Sequence, residues 1–309
     1  MVRGKYETWF ILGARTLSSL LREHGLIQGV FSDSKDWYLC PLCIDMTMTI
    51  EEIRTKRLSP EHLPPKSLGG REVLLTCKKC NNDAGGRFDG EAFKQHQMMQ
   101  FLKGGVEHSE VALLTAAGIE VRTRMRVLAD LRIQLTLAHD INAPGRTEAL
   151  IDHLRDVIRE KRETNISIKP VIRFSPERAR VSWMRTAYLA AFAVFGWRYI
   201  LRSNFQSLRD HLKDPRCPAP PIVSATDPSW EGLRELWLIQ HPSEHRSLLV
   251  IADGHGVFLP LPGDRRTLEE LAQGLDIQPG QTRGYKYDYL PIIWPTGPLH
   301  LLDPRPSIL

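Results

Sequence analysis

The chain has 309 residues, 42% hydrophobic and 25% charged, an ordinary globular balance that excludes long disorder and allows two domains. A net charge of +5 is mildly basic and favours a polyanionic partner only weakly. Five cysteines are too few for a disulfide framework and suit metal binding in a reducing compartment.

Residues 8–30, with Trp9, Phe10, Ile11, Leu12, Leu17, Leu20 and Leu21, read as a strand and a helix. Residues 36–94 hold Cys40-Pro-Leu-Cys43, then Glu61-His62-Leu-Pro-Pro-Lys66, then Cys77-Lys-Lys-Cys80-Asn81-Asn82. Pro64 and Pro65 force extended backbone after His62, Gly69-Gly70 marks a turn, and Val73-Leu74-Leu75 leads back into Cys77. A hairpin whose first strand ends near His62 is therefore expected. A helix follows from Asn82 to about Gln100, weakened at Gly85-Gly86. The stretch from Lys103 to Val106 reads as a linker, dividing the chain into residues 1–105, with a core at 36–100, and residues 106–309.

The second part opens with period-two strands: Val121, Thr123, Met125, Val127 and Ala129, continued by Leu131, Ile133, Leu135 and Leu137. Arg122, Arg124 and Arg126 share the opposite face, either solvated or in contact with nucleic acid. Leu150, Ile151, Leu154, Val157 and Ile158 mark a helix near 147–163, Ile166 to Phe174 a strand, and Pro176 the start of another helix. That helix is apolar nearly all round and reads as the central core helix. Its most apolar run, Ala187 to Trp197 between Arg185 and Arg198, is too short to span a bilayer, and the N-terminus lacks a signal-peptide core. A soluble, cytoplasmic protein with no membrane partner is expected. Residues 215–221 form a loop, three short strands occupy 236–239, 248–251 and 257–261, and a helix at 267–274 precedes a strand near 289–294. The Asp253-Gly-His255-Gly segment reads as a tight hairpin turn.

Two Cys-x-x-Cys pairs describe a tetrahedral zinc site, leaving Cys217 as an odd thiol. Glu61-His62 with Asn81 describes something further, a base beside a hard-metal site. Neighbours on a strand point to opposite faces, so Glu61 and His62 can share a site only where the strand twists or ends. Residues 54–94 carry nine Lys/Arg against five Asp/Glu and supply most of the net charge. In that window Lys66, Lys78, Lys79 and Arg87 are candidate phosphate contacts, with Arg122, Arg124 and Arg126 beyond it.

The ordered set Cys40, Cys43, Glu61, His62, Pro65, Leu68, Gly69, Gly70, Cys77, Cys80, Asn81, Gly85 and Asp89 resembles the HNH endonuclease family in its four-cysteine variant. The resemblance covers residues 38–94. It implies an α+β chain, a small ββα-metal zinc module followed by a larger mixed α+β domain for recognition or regulation. It implies a metal-dependent endonuclease acting on double-stranded DNA, with His62 as general base, Mg2+ or Mn2+ on Glu61 and Asn81, and Asp89 as a third ligand or a partner behind one. Restriction or anti-phage defence is the setting such a protein would suit. In the family an asparagine orients the histidine; the matching position here is Glu72. The alternative is a non-catalytic zinc module that binds nucleic acid or protein, which has no need of Glu61, His62 and Asn81 together. Oligomeric state, cleavage sequence and any activating partner are not legible.

Overall fold

The computed structural model describes residues 4–24, 37–44, 47–104, 110–137, 139–171, 173–201, 205–275 and 286–298. Residues 25–30, the second half of the expected linker, and Ile172 lie outside them. Among the described residues the chain is α+β, with antiparallel sheets throughout. No helix in them is long and apolar enough to cross a membrane.

The first element is a single helix, α1 (Lys5–Glu23), with no strand before it among the described residues. Trp9 and Phe10 read locally as extended, but Phe10, Gly13, Ala14, Leu17 and Leu20 continue a buried stripe at helical spacing, and that longer period prevails. A two-residue pair, β1 (Tyr38–Leu39) and β2 (Thr47–Met48), and a short helix α2 (Glu51–Arg54) lead into the main hairpin. Its strands are β3 (Leu58–Leu63) and β4 (Arg71–Cys77), paired antiparallel. Gly69 takes φ +71°, and a Cβ on Gly70 would lie 1.5 Å from the carbonyl oxygen of Pro64. Only glycine lets the return strand pass there. The following helix comes in two pieces, α3 (Lys78–Ala84) and α4 (Gly90–Leu102), joined by a wide π-type turn over Gly85–Asp89. The break falls where the two glycines weaken the helix.

The chain parts into two compact units along lines other than the expected 1–105 and 106–309. One is Met1–Ala92 together with Pro176–Leu309; the other, Phe93–Ser175, is inserted between those halves. The expected linker at 103 is not a boundary, because α4 runs on into the inserted unit and its Phe101 joins that unit's core.

The inserted unit is a four-stranded sheet in the order β7-β6-β5-β8, built from β5 (Glu110–Ala116), β6 (Ile119–Val127), β7 (Ile133–Leu137) and β8 (Ile166–Pro170), with α5 (Arg146–Arg159). Val121, Thr123, Met125 and Val127 are buried, as their alternation predicts. Leu150 of α5 packs with Leu114, Ala116 and Val121. The apolar run that forms β5 lacks a clean alternation, which hid it from the sequence reading.

In the larger unit, α6 (Pro176–Phe195) is the expected core helix, buried throughout from Val181 to Ala193. Helices α7 (Trp197–Ile200) and α8 (Gln206–Lys213) follow. A five-stranded antiparallel sheet has the order β13-β10-β11-β12-β9, from β9 (Ser224–Thr226), β10 (Arg234–His241), β11 (Ser247–Ala252), β12 (His255–Leu259) and β13 (Asp288–Ile293). Helix α9 (Leu268–Leu275) closes its core through Leu271 and Leu275 against Ile239, Leu249, Ile251 and Phe258. Asp253 and Gly254, at φ 49° and 88°, make the tight turn between β11 and β12. The sheet is fastened to the hairpin by Arg234, which donates to the carbonyls of Leu68 and Gly69 at 3.0 Å each.

Gly70→Ala should lower stability by about 1–3 kcal/mol or more, since a backbone shift is unavoidable. Gly90→Ala, with nothing within 4 Å of a new Cβ, should be neutral or stabilise by roughly 0.5–1 kcal/mol. Urea denaturation of both variants checks this, and equal effects would contradict the packing at Gly70.

Candidate functional site

The sulfurs of Cys40, Cys43, Cys77 and Cys80 all lie within 4.8 Å of one another. A tetrahedral zinc ion with bonds of about 2.3 Å sets its sulfur ligands roughly 3.8 Å apart, so these four could hold one. Cys40 and Cys43 sit on the turn after β1, Cys77 ends β4, and Cys80 lies in the first turn of α3. The backbone N–H of Cys77 donates to Cys40 Sγ at 3.3 Å, and that of Cys80 to Cys77 Sγ at 3.4 Å. Burial pushes the Cys40 thiol well above the ordinary cysteine range, so a thiolate there needs a cation beside it. The turn is held from above by Tyr188 of α6, whose hydroxyl donates to the Pro41 carbonyl at 2.6 Å.

The hairpin carries the next residues. Glu61 pairs with Leu74 but His62 pairs with Glu72, so Val73 is an extra residue in β4. Such a bulge bends the pair and re-aims the side chains beside it. The bulge lies opposite the step from Glu61 to His62. Glu61 is 2% exposed, whereas His62 is half-buried.

The carboxylate of Glu61 meets Arg185, a residue of α6 with no exposed surface. Arg185 Nη2 lies 2.6 Å from Glu61 Oε2, and the Thr76 hydroxyl donates to the same oxygen at 3.0 Å. Burial pushes Glu61 above the usual carboxylate range; Arg185 draws it back without cancelling the effect, and Asp89 adds to the rise. For Arg185 burial acts downward, but Glu61 and Asp89 outweigh it, so the guanidinium stays charged. Asp89 accepts from the Ser182 hydroxyl at 2.7 Å and from Arg185 Nη1 at 3.4 and 3.5 Å. Both of its oxygens are engaged, and it shares the Arg185 guanidinium with Glu61.

Asn81 directly follows Cys80, and its Nδ2 donates to Ser59 Oγ at 3.1 Å and to the Pro60 carbonyl at 3.2 Å. A carbonyl can only accept, so the amide nitrogen must face β3 and Oδ1 is left for another partner. No hydrogen bond or ion pair among the described residues engages the His62 ring. Glu72, opposite it, is taken by the Tyr6 hydroxyl at 2.7 Å and by Lys5 Nζ at 3.4 Å. The Tyr6 bond, helped by Lys5, holds Glu72 below the usual carboxylate range.

Of the basic candidates, Lys66, Lys78 and Lys79 are exposed. Arg87 is half-buried with Nη1 enclosed. In the inserted unit Arg122 and Arg124 are exposed and Arg126 is half-buried, with Arg124 paired to Asp140 at 2.8 Å.

The residues that sequence reasoning missed are Arg185, Ser182 and Thr76. Arg185 had marked only the edge of an apolar run. An arginine within the apolar stretch that follows Val181 is itself a signal, because a buried charge must be paired. Compared with known proteins, the chain matches no family model, no curated protein and no solved structure.

Cys77→Ser should lose bound zinc and the hydrogen-exchange protection of β3 and β4. Metal analysis of folded wild-type protein that finds no zinc would contradict the four-cysteine site. Arg185→Met should cost about 3–5 kcal/mol, because it leaves buried carboxylates unpaired. Adding Glu61→Gln should recover part of that loss. Since burial already raises the folded pKa of Glu61, the Arg185→Met deficit should grow as pH rises through the carboxylate range and shrink when Glu61 is protonated. Denaturation curves across pH read the sign.

Proposed function

We propose that the protein is an HNH-type, metal-dependent endonuclease that hydrolyses phosphodiester bonds in double-stranded DNA. The observation that carries this reading is the tie from Asn81 to Ser59 and Pro60. It brings the carboxamide on α3 against the strand that bears Glu61 and His62, an arrangement a purely structural zinc knuckle does not need. Glu61 Oε1 and Asn81 Oδ1 are the oxygens not taken by the contacts above, and they are the ones that would hold Mg2+ or Mn2+. Such an ion, when bound, stabilises charge on the phosphate and on the departing 3′ oxygen.

His62 is half-buried and its ring makes no hydrogen bond among the described residues. A ring nitrogen is therefore available to take the proton of the attacking water. Water attack with departure of the 3′ oxygen yields 5′-phosphate and 3′-hydroxyl ends. Lys66, Lys78 and Lys79 are exposed and would meet backbone phosphates, with Arg122, Arg124 and Arg126 of the inserted unit as a second set of candidates. Restriction or anti-phage defence is the setting such an enzyme would suit.

One observation favours a second reading, a non-catalytic zinc module that binds nucleic acid or protein. Glu61 is almost fully enclosed and already neutralised by Arg185. Plasmid nicking with Mg2+ or Mn2+ separates the two. Wild type should nick, and His62→Ala should fall by about 10²–10⁴-fold with zinc content and folding retained. Glu61→Ala and Asn81→Ala should raise the metal concentration required. Nicking by His62→Ala at the wild-type rate would remove the histidine from the chemistry.

A further inference from the structure

We infer that Arg185 is the positioning residue for the metal-binding carboxylate: together with Thr76 it clamps one oxygen of Glu61, so that the other is held for a divalent cation. This rests on the endonuclease reading and adds to it a residue outside the sequence motif.

A carboxylate that is 2% exposed has little water to solvate it and must be engaged by the protein. The ion pair and the hydrogen bond described for the Glu61 carboxylate fall on the same atom, Oε2: Arg185 Nη2 lies 2.6 Å away as a charge contact outside hydrogen-bond geometry, and Thr76 Oγ1 donates at 3.0 Å. A guanidinium occupying the cation's own position would be expected to straddle both oxygens in a fork. Here the fork is split between two acids instead. Its Nη1 reaches Asp89 at 3.4 and 3.5 Å, and Ser182, one turn earlier on α6, donates to Asp89 at 2.7 Å.

Arg185 is thus pinned between two anions and cannot swing into water. Its helix is fixed in turn by Tyr188 on the Pro41 carbonyl and by Val181 packed on Ala84 and Phe88. Val181, Ser182, Arg185 and Tyr188 lie on one face of α6, so a single helix sets the cysteine turn, the π-type turn and the carboxylate together. Partners behind a ligating carboxylate are commonly worth 10–100-fold in metal affinity, because they fix its orientation and charge. Lysine cannot replace such a split fork, since its ammonium is a single point.

The test is Mn2+ binding by the zinc-loaded full chain without nucleic acid, followed by electron paramagnetic resonance, for wild type, Arg185→Lys and Thr76→Val. Both variants should bind Mn2+ about 10–100-fold more weakly with their zinc retained. The Mn2+ concentration needed for nicking should rise in step, while the rate at saturating metal changes less. Unchanged affinity in folded variants would overturn the inference and leave the endonuclease reading standing. Tighter binding by Arg185→Lys would also overturn it, by placing the guanidinium in the cation's own position. Wild-type protein that binds no Mn2+ would remove both. If Arg185→Lys does not fold, Thr76→Val decides alone, because it keeps the ion pair and removes only the second hold on Oε2.

Discussion

A guanidinium without exposed surface, set between two carboxylates, organises the larger unit of this protein. Arg185 sits in the buried stretch of α6, where Glu61 and Asp89 outweigh the effect of burial and sustain its charge. The dependence is mutual, since Glu61 is almost as deeply enclosed as its partner. Replacing either one strands the other in a place water does not reach. The ion pair therefore joins three pieces of chain that are far apart in sequence: the hairpin, the turn after α3, and α6.

The four-cysteine cluster acts at shorter range. It joins the turn after β1 to the end of β4 and the start of α3. Because Asn81 directly follows Cys80, the cluster also determines where that side chain emerges. A structural ion at the cysteines would thus orient the Asn81 side chain without touching it. The hairpin contributes the bulge at Val73, and Gly70 lets the strands close over Pro64.

The inserted unit stands on its own core. Its sheet buries Val121, Thr123, Met125 and Val127 on one face and turns Arg122 and Arg124 outward on the other. Because this unit interrupts the larger one, α6 arrives only after the whole insertion has been made. The hairpin and the cysteine turn consequently lack Arg185, Ser182 and Tyr188 until the later chain returns to them. Non-local pairings of this kind carry a loop-closure cost before any contact offsets it.

The sequence by itself determined what depends on local spacing. The cysteine pairs, the hairpin ending near His62, the glycine turn, the alternation of β6 and the apolar character of α6 all follow from neighbours within a few residues. The weak point at Gly85-Gly86 was legible for the same reason. Tertiary structure decided what depends on partners distant in the chain. It showed that Asp89 is held by α6, that Glu72 belongs to Tyr6 and Lys5, and that one arginine in a core helix reaches back to Glu61. It also placed the unit boundary at Ala92, where contacts and not composition mark the division. Local periodicity reports which face of an element is buried; it carries no record of which distant charge waits on the other side.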